Sequence, residues 1–192
     1  MSHLYVFMGK SAAGKDTLYE KIRSRNPQLR GVIPYTTRPI REGEKNGTNY
    51  YFVSEQTMHQ MEEEGKVIEC RCYQTVQGPW YYFTADDGQI DLEAADYAVI
   101  STLEGYEKIR QYFGADRVVP IYIEVPDFMR IERSLAREKQ QTNPCVAEVC
   151  RRFLADEEGF SMEKRMALEI TDPIANVDMD TAICNIENRM KK

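Results

Sequence analysis

Two short stretches of this 192-residue chain carry residue types that handle phosphate. The first is Gly9-Lys10-Ser11-Ala12-Ala13-Gly14-Lys15-Asp16-Thr17, with the G-x-x-x-x-G-K spacing of a phosphate-binding loop. Small residues let backbone N–H groups approach phosphate oxygens, a following helix N-terminus adds positive potential, and a lysine neutralises the β- and γ-phosphates. Gly9, Ser11, Ala12, Ala13, Gly14, Lys15, Asp16 and Thr17 are therefore expected around a nucleoside triphosphate. The position after the lysine, where a hydroxyl usually meets Mg²⁺, holds Asp16, and Thr17 follows it. Three readings stay open: Asp16 holds the metal directly or through water, Thr17 holds it, or Asp16 is only a favourable acid in a first helical turn. Mg²⁺ is expected in each case, because a nucleoside triphosphate brings it.

The second stretch is Thr36-Thr37-Arg38-Pro39-Ile40-Arg41-Glu42-Gly43-Glu44, which sets two arginines three residues apart beside turn-forming residues. A guanidinium fork matches a pair of phosphate oxygens, and two forks on one loop can hold a dianion. With the phosphate loop, this makes two candidate anion sites in the basic first part of the chain.

These loops need elements to hold them. Leu4–Met8 reads as a short buried strand, and Lys15–Asn26 as a helix stopped by Pro27. Further strands are expected at Gly31–Ile33, Tyr50–Val53, Val67–Cys70, Tyr97–Ser101 and Val118–Glu124. Helical patterns cover Glu55–Glu64, Glu104–Tyr112, Pro126–Lys139, Val146–Met166 and Asp178–Met190. Apolar strands alternating with helices predict an α/β fold, a parallel sheet covered on both faces. The region 35–84 differs, with short strands, one helix and the turn signals Glu42-Gly43-Glu44, Asn46-Gly47 and Gly78-Pro79, so an inserted mixed or antiparallel unit is expected there.

Composition narrows the classes. The net charge of −6 conceals about +5 over residues 1–45 and about −9 over residues 46–104. A net acidic chain is a poor non-specific binder of nucleic acid, yet its basic first segment suits a small anion. The longest apolar run near the start, Leu4–Met8, is too short for a signal peptide or a membrane span, so no membrane partner is expected. Five cysteines without a C-x-x-C pair argue against a disulfide framework or zinc, and with the rest predict a cytoplasmic protein.

The run Thr36-Thr37-Arg38-Pro39-Ile40-Arg41-x-Gly43-Glu44-x-x-Gly47-x-Asn49-Tyr50-x-Phe52-Val53 resembles the signature segment of guanylate kinases. Val67-Ile68-Glu69, Tyr81-Tyr82-Phe83-Thr84, the arginines Arg133, Arg137, Arg151 and Arg152, and Asn176-Val177-Asp178-Met179-Asp180-Thr181-Ala182 follow in the same order. The resemblance implies one P-loop kinase domain over 1–192, with a core of about 1–34, 85–130 and 154–192. It implies an acceptor-binding insert at about 35–84, a helical lid at about 131–153, and transfer from ATP to GMP with Mg²⁺. By the same likeness Arg38, Arg41, Tyr50 and Tyr82 would bind the acceptor phosphate. Glu69 would read guanine N1–H and the amino group, and Thr84 the base carbonyl. Arg137 and Arg152, with Arg133 and Arg151 as alternates, would close on the transferring group, leaving Lys15, Arg41, Arg137 and Arg152 as the catalytic cations.

The chain also departs from the family pattern. Ile100-Ser101-Thr102-Leu103-Glu104-Gly105 stands where an Asp-x-Asp is usual, which puts Ser101 or Thr102 in the base-reading region. Pro34 and Tyr35 replace a base-holding serine, Asn49 replaces an aspartate, and an insertion is expected around Gln74–Trp80. Phosphate handling is kept while base reading is altered. That leaves two alternatives: a relative acting on another phosphorylated small molecule such as ribose 1,5-bisphosphate, or a silent guanylate-kinase-like binding module. A GTPase is disfavoured, since no asparagine precedes a lysine.

Overall fold

The strand β1 (Leu4–Met8) is buried at every residue and sits at the centre of a parallel sheet. The structure, a computed structural model, describes residues 1–41, 43–75 and 78–191. Glu42 of the first expected turn, and Val76 and Gln77 of the expected insertion, lie outside the described residues. After β1 the order is α1 (Lys15–Arg25), β2 (Arg30–Gly31), β3 (Tyr35–Thr36), β4 (Tyr51–Phe52), α2 (Glu55–Glu63), β5 (Val67–Thr75) and β6 (Gly78–Ala85). Then come β7 (Tyr97–Ile100), α3 (Leu103–Phe113), β8 (Val118–Glu124), α4 (Asp127–Glu138), α5 (Val146–Gly159), α6 (Met162–Ala167), β9 (Ile174–Ala175) and α7 (Met179–Met190).

Among the described residues the strands form two sheets. The first runs β2-β7-β1-β8-β9, all parallel, with Leu4 opposite Tyr97 on one side and Val118 on the other. Successive side chains of a strand face opposite ways, so β1 supplies two cores. Leu4, Val6 and Met8 pack with Leu103, Tyr106 and Ile109 of α3. Tyr5 and Phe7 pack with Leu18 and Ile22 of α1 and with Ala182, Ile183 and Ile186 of α7. Each fully buried aliphatic side chain contributes roughly 1.5–3 kcal/mol by leaving water. The second sheet runs β4-β3-β6-β5 and is mixed: β3 pairs parallel with β4 and antiparallel with β6, and β5 pairs antiparallel with β6.

The expected α/β class with its covered parallel sheet, and the mixed second unit, are both found. Three expected elements differ most in extent from the sequence reading, and the strands β3, β6 and β9 are not separately expected from it. The helix expected over Val146–Met166 is two helices, because Phe160 leaves helical geometry to bury its ring near Tyr122 and Ser161 caps a new start at Lys164 N–H. The strand expected at Val67–Cys70 runs on to Thr75, held by the hairpin partner β6. The strand expected at Gly31–Ile33 pairs only over Arg30–Gly31.

Candidate active site

The turn from β1 into α1 is built on left-handed backbone. Gly14 has φ +88°, and Ala12, a residue with a Cβ, has φ +60°. Such a conformation costs an L-residue on the order of 1–2 kcal/mol and concentrates at functional loops. A Cβ on Gly9 would lie 2.5 Å from the Ile123 carbonyl oxygen, and one on Gly14 2.4 Å from Asn176 Nδ2, so both positions require glycine. Asn176 is buried and donates from Nδ2 to the Ala13 carbonyl at 2.8 Å, which ties the far end of the chain under the loop. Gly14 caps α1 without a side-chain bond, so the first-turn N–H groups of α1 receive no capping side chain.

Two loop N–H groups are taken, and Ala13 N–H donates to the Lys10 carbonyl at 3.1 Å. Ser11 N–H donates to Asp156 Oδ2 at 2.7 Å, and Lys10 Nζ lies 2.6 Å from Glu157 Oε2. Both acids sit on α5 and are gathered by Arg130, which is 1% exposed. Arg130 donates to the Ser11 carbonyl (3.2 Å), Asp127 (2.7 Å), Glu157 (2.9 Å) and Asp156 (3.3 Å), and its guanidinium lies over the Phe153 ring at 4.5 Å. Sequence reasoning missed Arg130, Asp156 and Glu157. The available signal was Arg130 one turn before Arg133 and two before Arg137 on a helix, which puts the three on one face.

Lys15 and Asp16 face a broad open cleft of about 1560 Å³, well above the ~300–1,000 Å³ usual for one small ligand. Thr17 is exposed and does not line it, so of the two metal candidates the cleft is offered Asp16. Lys15 Nζ and Asp16 Oδ2 are 3.4 Å apart. The same cleft is lined by Arg41, Tyr50, Tyr82 and Thr102 of the acceptor-type residues, and by Arg151 and Arg152 from α5. Arg137 joins Arg152 and Ser11 around a narrow adjoining cleft. Arg152 donates from Nε to Glu148 Oε1 (2.8 Å), and Arg151 forks onto the same carboxylate. Arg151 first, and then Arg152, holds Glu148 down at about 2. Arg133 points instead to the Asn176 carbonyl.

The arginine pair of the second loop is divided. Arg41 is exposed on the cleft. Arg38 lies beneath it, 4% exposed, with both fork nitrogens on Glu44 (2.7 and 2.5 Å) and its plane near Tyr50 and Phe52 at 5.2 and 5.4 Å. Glu44 also accepts the Arg41 N–H at 2.8 Å, so one carboxylate shapes the whole turn. That hydrogen bonding by Arg38 holds the Glu44 pKa at about 2. Tyr50 and Tyr82 pack edge to face, 5.8 Å between centroids, and burial pushes the Tyr50 hydroxyl upward, keeping it a donor.

The expected base readers Glu69 and Thr84 are buried, and Thr84 Oγ1 donates to Glu69 Oε1 at 2.8 Å. Neither lines the cleft; Arg71, which sequence reasoning did not single out, does. Thr102 lines the cleft and also caps α3, accepting Gly105 N–H at 3.2 Å. Among the described residues no cluster of three His, Cys, Asp or Glu side chains could cage a metal, and no helix is long and apolar enough to cross a membrane.

Comparison with known proteins agrees with this geometry. The guanylate kinase family model matches residues 1–190. A guanylate kinase of Parasynechococcus marenigrum (strain WH8102) is 28% identical, covering 99% of this chain and 98% of its own. One from Thermosynechococcus vestitus (strain NIES-2133 / IAM M-273 / BP-1) is 31% identical, covering 96% and 91%. The crystal structure of guanylate kinase from Anaplasma phagocytophilum superposes with a TM-score of 0.67 at 22% identity, covering 99% of this chain and 85% of that one, a likeness of fold. A family model that matches residues 1–190, and relatives that match along nearly the whole length, place this chain in the guanylate kinase family.

Proposed function

We propose that the protein transfers the γ-phosphoryl group of ATP to GMP, giving ADP and GDP. The observation that carries this reading is that Lys15, Arg41, Tyr50 and Tyr82 all line one cleft. An acceptor phosphate oxygen attacks the γ-phosphorus in line. The new P–O bond forms as the bond to the leaving ADP oxygen breaks, and positioning and charge do most of the work. The phosphate loop and Lys15 hold the donor. Arg41 and the two phenols hold the acceptor dianion, and the Arg38–Glu44 pair braces the turn that presents Arg41. Arg137, and Arg152 once released from Glu148, neutralise the equatorial oxygens, and closure of their segment excludes water. We assign residues 35–84 to the acceptor unit, 131–153 to the lid and the remainder to the core.

The donor set fits Mg²⁺ as well. This ion keeps several waters and takes one or two carboxylates plus substrate phosphates, and Asp16 is a carboxylate exposed on the cleft beside Lys15. When bound there the ion supplies charge neutralisation on the β- and γ-phosphates. The five free thiols fit a reducing compartment, and we place the enzyme in the cytoplasm.

The test is ADP release with ATP and a panel of GMP, dGMP, AMP, UMP and ribose phosphates. GMP turnover is expected. Turnover of a ribose phosphate alone would overturn the acceptor, and no turnover with any acceptor would overturn the kinase reading.

A further inference from the structure

The acid expected to read the base is not free to do so. On β5, Glu69 and Arg71 lie two residues apart and so on one face of the strand. Arg71 forks back onto its neighbour, Nε to Oε2 at 3.0 Å and Nη2 to Oε1 at 3.1 Å, while Thr84 takes Oε1 from the other side. The Glu69 side chain is left 1% exposed and that of Arg71 15%. Exposing Glu69 to a base would break a buried charged pair for two hydrogen bonds, an unfavourable exchange.

The chemistry of the cleft wall is thereby inverted. A carboxylate accepts only; a guanidinium donates only, through five N–H groups of which Glu69 engages Nε and one edge of Nη2. Nη1 makes no hydrogen bond to any described residue. Nearby, Ser101 lines the same cleft, 4% exposed, and its Oγ has no hydrogen-bond partner among the described residues. Gly105 keeps this corner open: a Cβ there would lie 2.1 Å from Ser101 Oγ and 3.1 Å from Glu69 Oε2. A buried, unsatisfied hydroxyl beside a free donor edge is a site awaiting a ligand.

Given a purine monophosphate acceptor, as proposed above, we propose that Arg71 and not Glu69 meets the base, and that its donor edge selects 6-oxopurines through O6 and N7. Guanine and hypoxanthine present two acceptors on that edge, whereas adenine presents N7 beside a donor amino group. With Glu69 sealed, no carboxylate reads the 2-amino group, and the Ser101 hydroxyl can donate or accept, so it does not discriminate. The site thus takes inosine as well as guanosine monophosphate.

Steady-state ADP release with GMP, IMP and AMP, with calorimetric binding of each, tests this on the full chain. The expected kcat/KM for IMP is within about threefold of that for GMP, with AMP ~10–100-fold lower, the discrimination of one bidentate contact. Arg71→Ala uncovers Glu69, so IMP falls about tenfold or more behind GMP. Because that variant leaves a carboxylate unpaired, the double variant Arg71→Met/Glu69→Gln serves as well, and there GMP and IMP fall towards AMP in both binding and turnover. GMP turnover with IMP lagging tenfold in the parent protein, or a double variant that keeps its preference for GMP and IMP over AMP, overturns the Arg71 assignment alone. Absence of turnover and binding for every purine nucleotide overturns the kinase reading and this assignment together.

Discussion

Replacing Arg38 by methionine separates a brace from a ligand. In the structure Arg38 is a buried strut: both fork nitrogens sit on Glu44, Nη1 also reaches the Pro39 carbonyl at 2.9 Å, and the plane lies against two rings. Breaking a buried pair costs about 3–5 kcal/mol when the remaining charge stays buried. Glu44 is 20% exposed and regains some water, which lowers the figure to about 2–3 kcal/mol. The two ring contacts add up to about 1 kcal/mol, partly offset by the packing of methionine. A loss of about 3 kcal/mol in a domain of this size lowers Tm by roughly 6–12 °C. Arg41→Met, at an exposed position, leaves Tm nearly unchanged and raises the acceptor KM about 10–100-fold, the worth of one charge-assisted contact. Thermal melts of both variants beside their kinetics decide the matter. If Arg38→Met melts with the parent and raises KM as Arg41→Met does, the argument for Arg38 as a brace is refuted.

Lys15→Met removes the charge on the donor phosphates and is expected to lower kcat about 100–1,000-fold; melting at the parent temperature would show that the loss is chemical, and a kcat within threefold of the parent would contradict the loop assignment. Glu44 titrates at about 2 in the folded protein against an ordinary 4.5, so its stabilisation is complete above pH 4.5 and disappears as the pH falls through 2. Melting curves of the parent and Glu44→Gln should therefore converge between pH 4.5 and 2, and a gap constant with pH would contradict the pairing. Arg130→Met leaves Asp156 with the Ser11 N–H and half-exposed Glu157 with Lys10, and is expected to cost about 2–4 kcal/mol, read as a drop in urea midpoint.

Much of the fold was legible because burial imposes a period. A run such as Leu4–Met8, apolar throughout, is a strand covered on both faces, and the structure puts it at the sheet centre. Leu18 and Ile22, four apart, fall on the face of α1 that meets β1. What was not legible depended on contacts distant in sequence. Nothing local signals that Phe160 is buried by Tyr122, 38 residues earlier, and so the helix break there went unseen. β9 has only two residues and exists through its partner β8.

The site divides along the same line. The phosphate loop is readable because glycine and lysine spacing encodes backbone shape directly, and Gly14 and Lys15 stand where the motif puts them. For side chains that act by charge, a sequence gives the residue type but not which partner claims it. Arg38 and Arg41 are equivalent in the sequence and opposite in the structure, one spent on Glu44 and one facing the cleft. Glu69 and Arg71 show the same effect more sharply. A strand expected to end at Cys70 left Arg71 outside the pattern, whereas a strand reaching Thr75 sets it on the same face as Glu69, where opposite charges two residues apart pair. The register of one hairpin thus decides whether the base meets an acceptor or a donor, and the acceptor preference of the enzyme follows from β6 holding β5 in line past Cys70.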